Sequence, residues 1–260
     1  MLNIVIGGVM AVAFVGMIVC AKKQNDIPVA KPLAIGLLLV VVICAIVMLT
    51  LGGSGGTETI VNSEMRYSAS VPYTVGKKLS ETMPGTKTLV VMNKPDPQNK
   101  FQQAKLEALK KGFGSSITDI TYDYPNTAEQ TNQTAGSMLE DTMMAKDLNK
   151  LLSRHRNCKL IVMLTDLPYD LENMKLLQQY QNNKKNAPKL ALMSTNVTQL
   201  GAYIQTGYIV AVAVHNPNYT YEDKLAPETL EKAFNERYLL LTPKNVLSMA
   251  KKYPKLFPRR

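Results

Sequence analysis

Two long apolar runs near the N-terminus constrain this chain more than any other feature. Residues 2–21 and residues 33–51 contain no Asp, Glu, Lys or Arg. An apolar helix of about 20 residues is long enough to cross the hydrocarbon core of a bilayer, which is about 30 Å thick. The sequence therefore predicts an N-terminal hairpin of two transmembrane helices, which occupies residues 1–51.

Each run has an alternative interpretation. A cleaved secretory signal peptide begins with basic residues and ends at small residues, and residues 2–21 lack both features. Residues 33–51 would alternatively form a buried helix of a soluble domain, but Cys44 and Thr50 are the only polar breaks in this run. Both comparisons favour membrane spans.

The charges beside the runs predict their orientation. Lys22, Lys23 and Lys31 lie between the runs, against Asp26 alone, whereas residues 52–64 contain no Lys or Arg. Loops rich in Lys and Arg stay in the cytoplasm. We therefore expect a two-span protein of the bacterial inner membrane, with its N-terminus and its C-terminal domain on the periplasmic side.

Glycine marks the predicted boundary of the C-terminal domain. Residues 52–56 read Gly-Gly-Ser-Gly-Gly, which is typical of a flexible linker. Residues 57–260 are numerous enough to bury a single core. We expect them to form one extracytoplasmic α/β domain, which a helix over residues 72–82 would join to the linker.

Short β-branched runs alternate with longer amphipathic segments in this region, which is typical of a parallel sheet covered by helices. The predicted fold is a doubly wound, mostly parallel, flavodoxin-like or periplasmic-binding-protein-like domain. In the first helix after a strand, we expect Asp96 to act as N-cap and Pro97 as the first residue. The predicted strands are 88–93, 117–122, 160–164, 189–193, 209–214 and 238–241.

Polar side chains follow most of the predicted strands. Parallel strands end at one edge of the sheet, where ligands of open α/β sheets bind. We therefore expect a small polar ligand at this edge, although helix caps and turns use the same residue types. The candidate ligand-binding residues are Asn93, Asp96, Asp166, Asn196 and His215, and Thr242 is expected beside them.

Other functional classes find little support. The sequence lacks the glycine-rich nucleotide-binding motifs and the Gly-x-Ser-x-Gly elbow, so we expect no enzyme and no catalytic residue. Three Cys and two His predict neither a metal site nor a cofactor, and we expect Cys158 to be a buried, inert thiol. The net charge of +10 is spread among acidic residues, which argues against a nucleic-acid partner.

Two segments resemble a known family. Thr88-Leu-Val-Val-Met-Asn93, then Pro95 and a helix ending at Gly112-Phe-Gly114, look like the opening βα unit of type I periplasmic binding proteins. Leu160-Ile-Val-Met-Leu164 and the strands after it are similar to the later layout of that family, which also supplies the effector domains of LacI-type repressors. The resemblance covers residues 86–217 and implies a single sugar-binding-type lobe, without any matched binding residue.

Two functions are compatible with these features. The first is a membrane-anchored, non-catalytic interaction or structural subunit of a multi-protein envelope complex. Gly7, Gly8, Gly16 and Gly36 would permit close helix packing in the bilayer, either by self-association or against other membrane subunits. The alternative is a membrane-tethered solute-binding or sensory domain for a small polar ligand.

Overall fold

The computed structural model describes residues 2–22, 30–47, 53–125, 143–182, 187–193, 196–221 and 225–257. The chain divides into two compact units, Met1–Ser63 and Glu64–Arg260. The predicted division into residues 1–51, 52–56 and 57–260 stays a prediction.

The first unit contains two apolar helices that pack on each other. They are α1 (Leu2–Lys22) and α2 (Ala30–Val47). A Cβ on Gly16 would lie 3.1 Å from Cδ1 of Leu37, so glycine allows a close approach here. Most other large side chains of the pair are exposed, and Val12 is 75% exposed. Considering the described residues alone, no helix is both long and apolar enough for a membrane crossing.

Helix α3 differs from its prediction. It runs over Gly53–Thr82, so residues 53–56 of the predicted glycine linker are helical and Pro72 lies inside the helix. An internal proline costs about 3 kcal/mol because it removes a hydrogen bond and clashes with the preceding turn. Burial offsets this cost, since side chains at a four-residue spacing are all buried along one side of α3. They are Tyr67, Val71, Val75 and Leu79.

A six-stranded sheet forms the centre of the second unit, in the order β2-β1-β3-β4-β5-β6. Strands β1 to β5 are parallel and β6 is antiparallel to β5. The predicted mostly parallel α/β sheet is therefore confirmed. The strands are β1 (Thr88–Val91), β2 (Ile120–Asp123), β3 (Leu160–Met163), β4 (Lys189–Leu192), β5 (Ile209–His215) and β6 (Tyr238–Leu241).

Helices cover both faces of this sheet. Alternate side chains along a strand point to opposite faces, so Leu89 and Val91 belong to one core and Val90 to the other. Leu148 and Leu177 also belong to the first core. The second core contains side chains of α3 and α4. The remaining helices are α4 (Lys100–Phe113), α5 (Ala145–Arg154), α6 (Lys175–Asn182), α7 (Gly201–Gln205), α8 (Leu230–Arg237) and α9 (Val246–Lys252), with 3-10 helices at Leu171–Asn173 and Pro254–Leu256.

The predicted cap of α4 was wrong. The helix begins at Lys100, and Asn99 is its N-cap, because the Asn99 side chain accepts a hydrogen bond from the backbone N–H of Gln102 at 3.0 Å. Asp96 instead accepts from the N–H of Gln98 at 2.8 Å and closes a turn before the helix. Both side chains make the same kind of local bond, so the sequence alone could not rank them.

Glycine allows α3 and α4 to pack closely. A Cβ on Gly76 would lie 2.9 Å from the carbonyl oxygen of Leu109. A Cβ on Gly112 would overlap the carbonyl oxygen of Tyr73 and lie 2.9 Å from the backbone nitrogen of Lys77. These neighbours are backbone atoms, which cannot move aside as a side chain can.

We predict that Gly112→Ala destabilises the protein by about 1–3 kcal/mol, the usual cost of overpacking, because α4 must shift away from α3. Urea unfolding followed by circular dichroism measures this change. Lys111→Ala is the matched control, since Lys111 is the exposed neighbour on the same helix and should leave the unfolding midpoint almost unchanged. Equal stability of the Gly112→Ala variant and the original chain would show that the two helices are not in tight contact.

Candidate functional site

The pairing of β1 with β3 positions the candidate site. Val91 lies opposite Met163 in this parallel pair, and the N–H of Leu164 donates to the carbonyl oxygen of Val91 at 2.8 Å. Both strands therefore end at the same edge of the sheet. Asn93 and Thr165, which follow these two ends, line the same two cavities.

These cavities have volumes of about 300 Å³ and about 620 Å³. Both are lined by Asn93, Lys105, Leu164, Thr165 and Asp166. We call the two cavities with these five shared residues the carboxyl-edge cleft. Its smaller part adds Ser68, Val71, Pro72, Met193 and Tyr238, and its larger part adds mainly polar residues of the β1–α4 connection together with Phe101, Pro125, Met143 and Leu167.

Gln102 holds the β1–α4 connection in place. Its Nε2 donates to the carbonyl oxygens of Asn93 and Lys94, both at 3.0 Å. Its Oε1 accepts from the N–H of Asp96 at 2.8 Å. Gln102 is therefore a positioning residue that was not among the predicted site residues. The available signal was a glutamine in the first turn of a helix that directly follows a polar strand exit.

Thr165 has a hydroxyl group without a partner. Its Oγ1 is buried, and among the described residues it makes no hydrogen bond. A buried hydroxyl that makes no hydrogen bond costs free energy relative to its hydrated state. Thr165 lines both parts of the cleft.

The cleft contains charged side chains of both signs. Lys105 comes from α4 and Asp166 follows β3. Within the described part of the chain, neither side chain has a hydrogen-bond or ion-pair partner. In the larger cavity, Lys94 adds a second cation and Asp96 a second carboxylate, one oxygen of which already accepts from Gln98. The cleft can therefore bind both acceptor and donor groups of a small polar molecule.

The structure brings three of the five candidate residues together. Asn93, Asp96 and Asp166 line the larger cavity, and Asn93 and Asp166 also line the smaller one. Asn196 and His215 belong to the same edge by their positions after β4 and at the end of β5, but they line neither cavity. The assignment of all five candidates as ligand-binding residues stays a prediction.

The two remaining candidates, Asn196 and His215, make contacts within the protein. The carboxamide oxygen of Asn196 accepts from the backbone N–H of Thr198 at 3.0 Å and from its hydroxyl at 2.6 Å, so Asn196 shapes a turn. The ring of His215 lies 4.8 Å from that of Tyr238, measured between centroids. Burial and then the positive charge of Arg237 lower the pKa of His215 below its ordinary value of 6.5, which favours the neutral ring.

Thr242 was expected at this edge, and that expectation was wrong. It follows β6, which is antiparallel to β5, so the C-terminal end of β6 lies at the opposite edge of the sheet. There Asn245 accepts hydrogen bonds from the backbone N–H of Thr242 at 2.7 Å and from its hydroxyl at 3.2 Å. A short apolar strand has the same pattern in both directions, so the pattern could not reveal the reversal.

Arg237, which was not among the predicted site residues, fixes α3 to the start of β6. This buried guanidinium donates to both carboxylate oxygens of Glu64, at 2.6 Å and 2.7 Å, and it lies 3.6 Å from the ring centroid of Tyr67. The hydrogen bonds from Arg237 lower the pKa of Glu64. Because α3 provides Ser68 and β6 provides Tyr238 to the cleft, this contact positions one of its walls.

Other reactive groups lie outside the cleft. Cys158 is buried, and burial raises the pKa of its thiol. Nε2 of His155 lies 2.7 Å from Oδ2 of Asp123. Within the described residues, no group of three or more His, Cys, Asp or Glu side chains could hold a metal ion.

Comparison with known proteins gives structural neighbours only. No family model matches the chain, and no curated protein matches it. A solved sugar-transport substrate-binding protein from Bordetella parapertussis is 16% identical, with a TM-score of 0.39, over 56% of this chain and 41% of that one. A carbohydrate transporter from Acidothermus cellulolyticus in complex with myo-inositol is 14% identical, with a TM-score of 0.42, over 73% of this chain and 62% of that one.

A third neighbour is described as a LacI transcriptional regulator from Bacteroides fragilis. It is 11% identical, with a TM-score of 0.40, over 70% of this chain and 61% of that one. These neighbours belong to the classes that the sequence resembles. This chain spans between 41% and 62% of the length of these three structures.

We predict that Thr165→Val stabilises the unliganded protein by about 1 kcal/mol, because valine has the same shape and removes a buried hydroxyl that has no partner. Thr88→Val is the matched control, since the buried Thr88 hydroxyl donates to the carbonyl oxygen of Thr86 at 2.9 Å and its loss should destabilise. Urea unfolding of both variants measures the difference. If both substitutions destabilise equally, the Thr165 hydroxyl has a partner in the folded protein.

Proposed function

We propose that the second unit binds a small polar solute in the carboxyl-edge cleft and that the chain acts as a membrane-tethered solute-binding or sensory protein. One observation carries this proposal: two adjoining cavities share polar and charged side chains that have no partner among the residues that the structure describes. The larger cavity, of about 620 Å³, falls within the range of about 300–1,000 Å³ that is usual for small-molecule sites.

The cleft geometry suggests how such a solute would be held. Asn93 and Asp166 would form hydrogen bonds with its hydroxyl groups from the ends of β1 and β3. Val71, Met193 and Tyr238 would cover its apolar faces from the smaller cavity. Gln102 would keep the β1–α4 connection in position before binding, so less conformational entropy would be lost when the ligand binds.

We also propose that the N-terminal helices anchor the chain in a bilayer. The support comes from the uncharged runs at residues 2–21 and 33–51. Within these runs, the structure describes the side chains of residues 8–20 and 33–47. Exposed large apolar side chains on both helices also support it, because such surfaces are rare in contact with water. The lysines between the runs favour a periplasmic location for the second unit.

The same exposed helices support a second candidate function. Close packing at Gly16 and Leu37 leaves most large apolar side chains of α1 and α2 free to contact other membrane helices. The chain would then be a non-catalytic subunit of an envelope complex. The two functions are compatible if the complex uses the helices and the solute uses the cleft.

For the solute-binding function, we predict that the full chain, purified in mild detergent, releases a small polar molecule on denaturation, which mass spectrometry of the extract detects. Asp166→Asn should lower the retained amount by about tenfold or more, because it removes a carboxylate from the cleft. Asp119→Asn is the matched control, because Asp119 precedes β2 at the opposite edge of the sheet. The Asp119→Asn protein should retain as much of the molecule as the original chain does. Absence of any released molecule, or equal losses in both variants, would contradict the function.

For the membrane anchor, we predict that a cysteine introduced by Ser54→Cys is labelled when an impermeant thiol reagent is added to intact inner-membrane vesicles whose periplasmic face points outwards. Cysteine introduced by Asn25→Cys, between the two runs, should be labelled only after the vesicles are opened. A variant background with Cys20, Cys44 and Cys158 replaced by Ala removes native thiols. Labelling of position 25 alone from the periplasmic side would reverse the topology, and release of the chain by alkaline carbonate would reject the anchor.

A further inference from the structure

We propose that the solute is a small hydroxylated acid, whose carboxylate or phosphate group binds Lys105 while its hydroxyl groups bind Asn93 and Asp166. This inference rests on the proposed solute-binding function and goes beyond it by stating that the solute is negatively charged. It depends on the location of Lys105, on its lack of a partner and on the composition of the cleft around it.

Lys105 lies on the inner side of α4. Leu109 and Gly112, which follow at positions i+4 and i+7, are buried, and Gly112 packs on α3. Positions at this spacing share one side of a helix. The half-buried Lys105 therefore extends towards the sheet edge and lines both cavities, whereas its helix neighbours Lys110 and Lys111 are exposed.

The acidic groups of the cleft leave Lys105 unpaired. Asp166 lines the same cavities, but no ion pair joins it to Lys105 among the described residues. Asp96 already accepts a hydrogen bond from Gln98 with one of its oxygens. A cation that is partly removed from water and forms no ion pair among the described residues favours an anionic ligand.

The surroundings of Lys105 determine what else the solute carries. Leu164 and Met193 add apolar surface to the smaller cavity. Lys94 adds a second positive charge at the larger cavity. Asn93 and Asp166 offer a carboxamide and a carboxylate, which together suit vicinal hydroxyl groups. An acid without hydroxyl groups would leave these side chains unpaired.

Matched pairs of solutes test the inference on the full chain in detergent. The pairs are D-glucose with D-glucuronate and myo-inositol with myo-inositol 1-phosphate, and calorimetry measures the Kd of each. We expect at least one acid to bind at least tenfold more tightly than its neutral partner. Lys105→Gln should remove this difference, and Lys111→Gln, the same charge change on the exposed side of α4, should retain it.

The outcomes separate the inference from the function on which it rests. Equal binding of the neutral and acidic members of a pair, with no effect of Lys105→Gln, overturns the inference that the solute is an acid and leaves the solute-binding function intact. Equal weakening by Lys111→Gln and Lys105→Gln assigns the preference to the overall positive charge and also overturns the inference. If no pair binds, the molecule extracted from the purified chain decides: an acid supports the inference, a neutral molecule overturns it, and absence of any molecule rejects the solute-binding function itself.

Discussion

The parallel pairing of β1 with β3 is the contact on which the candidate site depends. It places the residues after both strands at one edge, with the N–H of Leu164 bonded to Val91. Asn93 and Thr165 are 72 positions apart in sequence, yet they line the same cavities because of this register. A shift of one residue would exchange the two faces of the strand, so that Leu89 and Val91 would enter the core that now holds Val90. The packing of different side chains on the two faces therefore favours the observed register and, through it, the cleft.

Two helices complete the cleft, and each is held by a different interaction. Helix α4 is set by glycine contacts with α3 and by Gln102, which holds the preceding connection. Helix α3 is set by its buried apolar side and by the Arg237–Glu64 pair. Pro72 lies where α3 borders the cleft, and because proline has no N–H, the carbonyl oxygen of Ser68 lacks its usual helical donor.

The sequence predicted the features that depend on local patterns. Apolar β-branched runs identified all six strands, and the polar residues after β1 and β3 identified Asn93 and Asp166 as neighbours. The direction of β6 and the continuation of α3 through Pro72 depend on tertiary contacts, so local patterns could not predict them. The cap at Asn99 could not be predicted because Asp96 forms the same kind of local bond. Lys105 and Arg237 were missed because a cation on a helix has no distinguishing spacing, and their importance comes from the groups that the fold places beside them. Gln102 was missed although its position in the first turn after a polar strand exit was a local signal.

A fluorescent reporter tests most directly whether the carboxyl-edge cleft is the binding site. The chain contains no Trp, so a single introduced Trp reports on one location. Phe101→Trp places it at the larger cavity, and Leu247→Trp places it on α9 at a side chain that is 58% exposed and lines neither cavity. The account predicts that D-glucuronate or myo-inositol 1-phosphate changes the emission of the Phe101→Trp protein in a saturable way and leaves that of the Leu247→Trp protein unchanged. A saturable response at position 247 with none at position 101 would contradict it.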